Sequence, residues 1–453
     1  MKKLLSIAVA SVLALTMFAG CKKNEESSKG DFSNGGKVLN IYCWNTEFKD
    51  RFTDYFEKAG KVPSDVKVNF VITPNDNNAY QNKLDASLKA QSTAKADDKI
   101  DLFLIEADYA LKYVNTSYAL DVKGDIGLTD SDLANQYKYT QAIATDKDGK
   151  LKAVTWQATP GLFAYRRSIA KDVLGTDDPV KVQDALKDWA SFDKVAADAS
   201  AKGYKMLSGY DDSYRTFSNN VTAPWVDKDN VIRIDANIMK WVDQTKTYTD
   251  KGYNNKTTLW ADAWGKDQGP SGKVFGFFYS TWGINFTLLG NSLATSEKDG
   301  GKKEVGNGIY GDYAVCEGPQ AYYWGGTWLC AAAGTDNADL VKDIMKTLTC
   351  DAATMKKITT DTQDYTNNKA AMEEIGSSSF KSDFLGGQNH IALFAKSAEK
   401  IDLKNISNYD QGCNEAIQSS FHDYFSGKVD KDTALANFYK AVIEKYPNLK
   451  KPS

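Results

Sequence analysis

The sequence predicts an α/β fold built on an open, mostly parallel sheet, and three observations carry that prediction. Strand-like and helix-like hydrophobic periods alternate as βαβαβ over residues 37–108. The turns at the carboxyl ends of the three strands are rich in polar and aromatic side chains. The chain has 453 residues, 42% hydrophobic and 25% charged, which is globular in composition and long enough for more than one lobe.

The first strand is "VLNIYCW" (38–44), and Phe48, Phe52, Tyr55 and Phe56 then recur on one helix face. In "VKVNFVIT" (66–73) Val66, Val68, Phe70 and Ile72 alternate as a strand requires. A second helix carries Tyr80, Leu84 and Leu88, and "IDLFLIEA" (100–107) is the third strand. Ligands of open α/β sheets bind outside the carboxyl ends of the strands. Those ends read "WNTE", "PNDNN" and "EAD", and offer Trp44, Asn45, Glu47, Asn75, Asp76, Asn77, Glu106 and Asp108. Asn and Asp also serve turns and helix caps, and for the 74–78 loop that use weighs at least as much.

"TDKDGKLKAVTWQATPGLFAYRR" (145–167) starts like a calcium loop, but position 157 is Gln and no closing Glu follows, so a hairpin at Asp148-Gly149 fits better. It feeds a strand that brings Trp156 and Gln157 to a crossing between lobes. A helical stretch follows around Leu186, Trp189, Phe192 and Val195, then the loop "GYDDSYRTF" (209–217) and a helix with Ile238, Trp241 and Val242. Strands return in "SGKVFGFFYSTWG" (271–283) and "AYYWGGTWLCAAAG" (321–334). Helices close the chain, in "NADLVKDIMKTLT" and around Ala434, Phe438, Val442 and Ile443.

The N-terminus predicts export. Lys2 and Lys3 precede the 17-residue apolar segment "LLSIAVASVLALTMFAG", a signal peptide over 1–20 that is short for a membrane span. "FAGC" resembles the bacterial lipobox, with Phe18 in place of the usual Leu, and makes Cys21 the lipid anchor. Residues 21–37 are charged and rich in Ser, Gly and Asn, a solvated tether with the folded part starting near Lys37. Two acyl chains hold a protein at a membrane firmly where one does not.

The formal net charge is -3, and -5 without the signal lysines, which argues against nucleic acid as a partner. Besides Cys21 there are Cys43, Cys316, Cys330, Cys350 and Cys413, without metal-site spacing, and Cys316 with Cys330 is the disulfide to test first. His390 and His422 are the only histidines, so a zinc cluster or histidine base is poorly supplied, and no metal or cofactor is expected.

In order, these features resemble the extracellular solute-binding proteins of ABC importers, in the sugar-binding, maltose-binding-protein-like branch (extracellular solute-binding protein family 1). The likeness spans most of the mature chain: "CWNTE", "IDLFLIEAD", "DGKLKAVTW" with "LFAYRRSI", "SGKVFGFFYSTW", and "GPQAYYWGGTWLCAAAG" before "LVKDIMKTL". The resemblance implies a type II periplasmic-binding-protein-like fold, two α/β lobes hinged at two or three crossings around a ligand cleft. Lobe 1 would comprise 38–157 with 284–349, and lobe 2 158–283 with 350–450. It implies sugar contacts from Asp108, from Asp212 and Tyr214 in "DDSYRTF", from Trp282 by stacking, and from Trp324 and Gly325 in "YWGG". With Trp44, Asn45, Glu47, Asn77 and Trp156 these make the expected ligand-binding set. "FYSTW" lacks the family's Gly or Pro before the tryptophan, and Thr159 stands where maltose-binding protein has an acidic residue, so the sugar itself is left open. The expected partners are an oligosaccharide and the permease subunits of an importer, with the protein a monomer on the outer side of the cell membrane.

Chemistry supports a sugar independently of family. Carboxylates and amides take hydroxyls, and the negative face of an aromatic ring takes the C–H face of a pyranose. Trp44, Trp156, Trp260, Trp264, Trp282 and Trp324 all lie near predicted loops, although core packing is the safer expectation for any single one. The same fold could bind another solute: Tyr322-Tyr323 is similar to the tyrosine pair of ferric-ion binders, and an acidic cleft suits a polyamine. An anchored glycosidase using Asp211 and Asp212 is a weaker alternative, because adjacent side chains seldom point into one cleft and no catalytic motif surrounds them.

Overall fold

The computed structural model describes residues 31–452. The predicted signal peptide (1–20), the anchor Cys21 and most of the tether lie outside the described residues. The end of the tether is tied to the body. Gly334 N–H donates to Asp31 O, Ser33 N–H to Thr335 O and Gly36 N–H to Asp336 O, so packing begins before Lys37.

Ten strands form three sheets among the described residues. They are β1 (Val38–Cys43), β2 (Lys67–Ile72), β3 (Leu102–Glu106), β4 (Val154–Thr155) and β5 (Gly161–Arg166), then β6 (Leu207–Gly209), β7 (Asn254–Thr257), β8 (Gly276–Ser280), β9 (Tyr313–Cys316) and β10 (Thr327–Ala331). The first sheet has the order β2-β1-β3-β10-β4, with β1 parallel to β2 and β3, and β10 antiparallel to β3 and β4. The second, β8-β5-β9, is antiparallel, and β6 pairs in parallel with β7. The molecule is thus a two-lobed α/β fold with one sheet at the heart of each lobe. Strand β9 lies within the 284–349 segment expected in lobe 1, yet it pairs with β5 in the second sheet.

Local patterns account for these elements. In β3, covered on both faces, Leu102, Phe103, Leu104 and Ile105 form an unbroken buried run, whereas the edge strand β2 keeps Val68 and Phe70 only half-buried. The helix Glu47–Phe52 runs into a π-helical turn, Thr53–Glu57, and still buries Phe48, Phe52, Tyr55 and Phe56. Helix Ala79–Ala90 buries Tyr80, Leu84 and Leu88. Asp146 accepts from the N–H groups of Asp148 and Lys150, which shapes the hairpin expected at Asp148-Gly149. In the loop expected at 209–217 the last residues instead form a short helix, Tyr214–Ser218. A second hydrophobic cluster joins that helix to Ala236–Asp250, Asp410–Phe425 and Lys431–Lys445 through Trp241, Phe421, Phe425 and Phe438. Cys316 in β9 and Cys330 in β10 belong to different sheets and are both free, so the disulfide singled out from sequence is not formed. No described helix is long and apolar enough to cross a membrane.

Three segments cross between the lobes side by side. Residues 156–160 lead from β4 to β5, 317–326 lead from β9 to β10, and 363–368 lie against the first. Gln157 bridges Thr366, and Ala158 and Asn367 donate to Tyr365 O and Trp156 O. On the other side Pro160 bridges Tyr323, Trp324 N–H donates to Thr159 O, and Gly161 N–H donates to Tyr322 O at 2.7 Å. Tyr322 is buried there with its hydroxyl on Leu162 O and Tyr279 O, 2.9 and 3.0 Å away.

A Cβ on Gly161 would stand 2.0 Å from the Tyr322 ring. Gly161→Ala is therefore expected to cost about 3 kcal/mol of apo stability by overpacking. Urea unfolding with the midpoint and slope compared to wild type checks it, and an unchanged midpoint would mean that the ribbon yields.

Candidate functional site

A cavity of about 470 Å³ opens beside this ribbon, between the lobes. The end of β1 supplies Trp44, Asn45, Thr46, Glu47, Asp50 and Arg51, and the end of β3 supplies Glu106. The crossings contribute Gln157, Trp324, Gly325, Gly326 and Asp364, while Thr281, Trp282, Asn285 and Phe286 come from the turn after β8. Carboxyl-terminal strand ends therefore face one another across the gap, where this class of fold places its ligands.

The aromatic wall is built around Trp282. Its Nε1 donates to Trp324 O at 2.9 Å, and the two rings meet edge to face at 5.4 Å. Trp260 backs it, stacked at 6.1 Å with 20° between planes. Trp260 is 57% exposed and has φ of 70°, an unusual conformation for a bulky residue. Phe286, 81% exposed, adds an apolar rim. Trp44 packs edge-on against Tyr80 and Tyr109, at 5.5 and 6.4 Å. Gly325 (φ 71°) lets the chain turn beneath the indole, since a Cβ there would lie 3.1 Å from Trp282 Nε1, and Thr159 Oγ1 donates to Gly325 O at 2.8 Å.

Polar side chains line the same cavity. Gln157 Nε2 donates to Glu47 at 2.8 Å and to Asp364 at 3.0 Å. Burial, then the neighbouring Asp364 charge, pushes the Glu47 carboxyl up to about 7. Burial, then Asp108, pushes Glu106 up to about 8. Asn45 is spent locally, its Oδ1 accepting from Glu47 N–H at 3.0 Å.

Of the residues expected from sequence, the cavity gathers Trp44, Asn45, Glu47, Trp282, Trp324 and Gly325. The others lie elsewhere. Asn77 is exposed in a left-handed turn (φ 51°) ahead of the helix Ala79–Ala90. Trp156 is buried against Phe48, ring centroids 5.5 Å apart. Asp108 is engaged by both terminal nitrogens of Arg215, an ion pair that joins the end of β3 to the helix Tyr214–Ser218. Asp212 is buried, accepting from Ser208 and Gly209 N–H at 2.8 Å and from Trp264 Nε1 at 2.9 Å. Tyr214 is likewise buried, its hydroxyl donating to Asn414 and its ring edge-on to Trp241 at 4.8 Å. Asp211 meets His422, so neither member of the Asp211-Asp212 pair lines the cavity. The sequence-derived set lacked Thr281, Asn285, Phe286, Thr362 and Asp364. Asp364 has no local motif, and only its pairing through Gln157 brings it to the cavity.

The model of the family described as bacterial extracellular solute-binding protein matches residues 52–384. The fold is similar to a crystal structure of an extracellular solute-binding protein family 1 member, with TM-score 0.73 and 16% identity over 90% of this chain and 99% of that one. It is also similar to the ABC transporter associated binding protein from B. animalis subsp. lactis Bl-04 in complex with beta-1,6-galactobiose, with TM-score 0.67 and 17% identity over 92% and 100% of the chains. The GacH receptor of Streptomyces glaucescens GLA.O, known unliganded and with acarbose, has TM-score 0.63 and 16% identity over 91% and 99%. No curated protein matches the chain by sequence. A family match over residues 52–384 and a two-lobed fold with its cavity at the crossings lead to one assignment: the chain belongs to the family of bacterial extracellular solute-binding proteins.

Proposed function

We propose that this protein is the receptor of an ABC importer that takes an oligosaccharide between its lobes and delivers it to a membrane permease. One observation carries the reading. Indole rings (Trp282, Trp324, Trp44) and a set of carboxylates and amides (Glu47, Glu106, Asp364, Gln157, Asn285) line one cavity of about 470 Å³. That size suits a small-molecule site, roughly 300–1,000 Å³. The two kinds of side chain match the two surfaces of a pyranose, C–H face and hydroxyl edge. The bound saccharides of two neighbours in fold point the same way. A raised carboxyl beside a second carboxylate, as at Glu47 and Asp364, would also suit a glycosidase acid. The family favours binding, and product formation in proportion to protein would overturn it.

Trp282→Ala tests the site. Loss of an aromatic anchor is worth about 2–4 kcal/mol, or about 30- to 1,000-fold in affinity for the tightest-binding member of a saccharide panel. Because the indole is only half-buried, apo unfolding is expected to shift less than binding. Near-native affinity with a large fall in melting temperature would remove Trp282 from the site.

We further propose that Cys21 anchors the receptor to the outer side of the membrane through acyl chains. Metabolic labelling with palmitate is expected to mark the wild type and not Cys21→Ala, which should be released from membranes. A Cys21→Ala protein held as firmly as wild type would contradict the anchor.

A further inference from the structure

The cavity carries more negative charge than a neutral solute needs. Glu47 and Asp50 reach it from the helix Glu47–Phe52, Glu106 from the end of β3 and Asp364 from a crossing, while Arg51 is the one cation lining it among the described residues. Glu47 and Asp364 meet at a single neutral amide, the Nε2 of Gln157, which offers each one hydrogen bond and no countercharge. Asp50 accepts no side-chain hydrogen bond. Asp108 and Arg215 neutralise each other next to Glu106, so that arginine is already spent. Thr281, 1% exposed, lines the same cavity with no partner for its Oγ1. Burial raises the carboxyls of Glu47 and Glu106, and the charges of Asp364 and Asp108 add to it more than Arg51 and Arg215 offset.

Resting on the carbohydrate reading above, we propose that the solute is an amino sugar, its protonated amine seated at Glu47, with Asp50 and Asp364 as the neighbouring negative charges. Closing the lobes over a neutral sugar would take these carboxylates further from water with only hydroxyls to meet them, so that they would either stay ionised at a cost or take up a proton. An ammonium on the ring brings three donors and a positive charge. The indole faces of Trp282 and Trp44 attract a cation as well as a C–H face, so the aromatic wall serves both parts of such a solute.

Calorimetry at neutral pH with matched pairs tests this: glucose disaccharides in several linkages, each beside its glucosamine counterpart, with spermidine in parallel. The amino form is expected to bind about tenfold tighter than its neutral parent, as charge-assisted hydrogen bonds replace neutral ones. Glu47→Gln is expected to reduce that gap to about threefold or less, and Asp50→Asn, on an exposed position, to reduce it partly. Equal or tighter binding of the neutral forms overturns the amine and leaves the carbohydrate reading standing. A gap unchanged in Glu47→Gln overturns the seat. Binding of spermidine with no saccharide bound, or no binding of any saccharide, overturns the carbohydrate reading itself.

Discussion

The backbone ladder between the three crossing segments is the contact on which the rest of the structure depends. Residues 156–161 lie in the middle, bonded to 365–367 on one side and to 322–324 on the other. Each lobe folds around its own sheet, and these backbone bonds, Tyr322 packed over Gly161 and the Asp108–Arg215 pair hold the lobes in register. A narrow ribbon made of element ends is the kind of segment about which two lobes can rotate with little change inside either. The same segments carry Gln157, Trp324, Gly325 and Asp364, so the hinge is also the floor of the cavity.

That coincidence explains how binding can be coupled to motion. A solute seated on the ribbon would meet Glu47 and Glu106 from one lobe and Trp282 and Asn285 from the other. Only contacts that differ between open and closed arrangements can shift the balance between them, and a site lined from both lobes can provide such contacts. The Asp108–Arg215 pair lies beside Glu106. It links the lobes directly, and with side chains about one-fifth exposed (22% and 18%) it is screened less than a surface pair.

Much of this was legible in the sequence where the signal is local. The βαβαβ start, the strand ends at Trp44 and Glu106, and the helix faces of Phe48 and Tyr80 follow from periodicity alone. The resemblance located Trp282, Trp324 and Gly325, because the turns after β8 and before β10 have distinctive neighbours. Residues whose roles depend on distant partners were not legible. Asp108 and Tyr214 are sugar contacts that the resemblance implies, and the structure adds their partners: Arg215 pairs with the first and Asn414 accepts from the second. Asp364 lies 207 positions from Gln157, beyond the reach of any motif. Cys316 and Cys330 are close in sequence, and only the sheet pairing shows that the chain crosses between lobes in the interval.

A hinge that is also a binding floor has a direct physical signature. Small-angle scattering of the mature chain, alone and saturated with a saccharide whose binding calorimetry has established, measures it. If solute draws Trp282 and Glu47 together by rotation about the ribbon, the two samples differ in radius of gyration, the liganded one being the more compact. An identical profile at saturation would contradict the hinge and point to a rigid site.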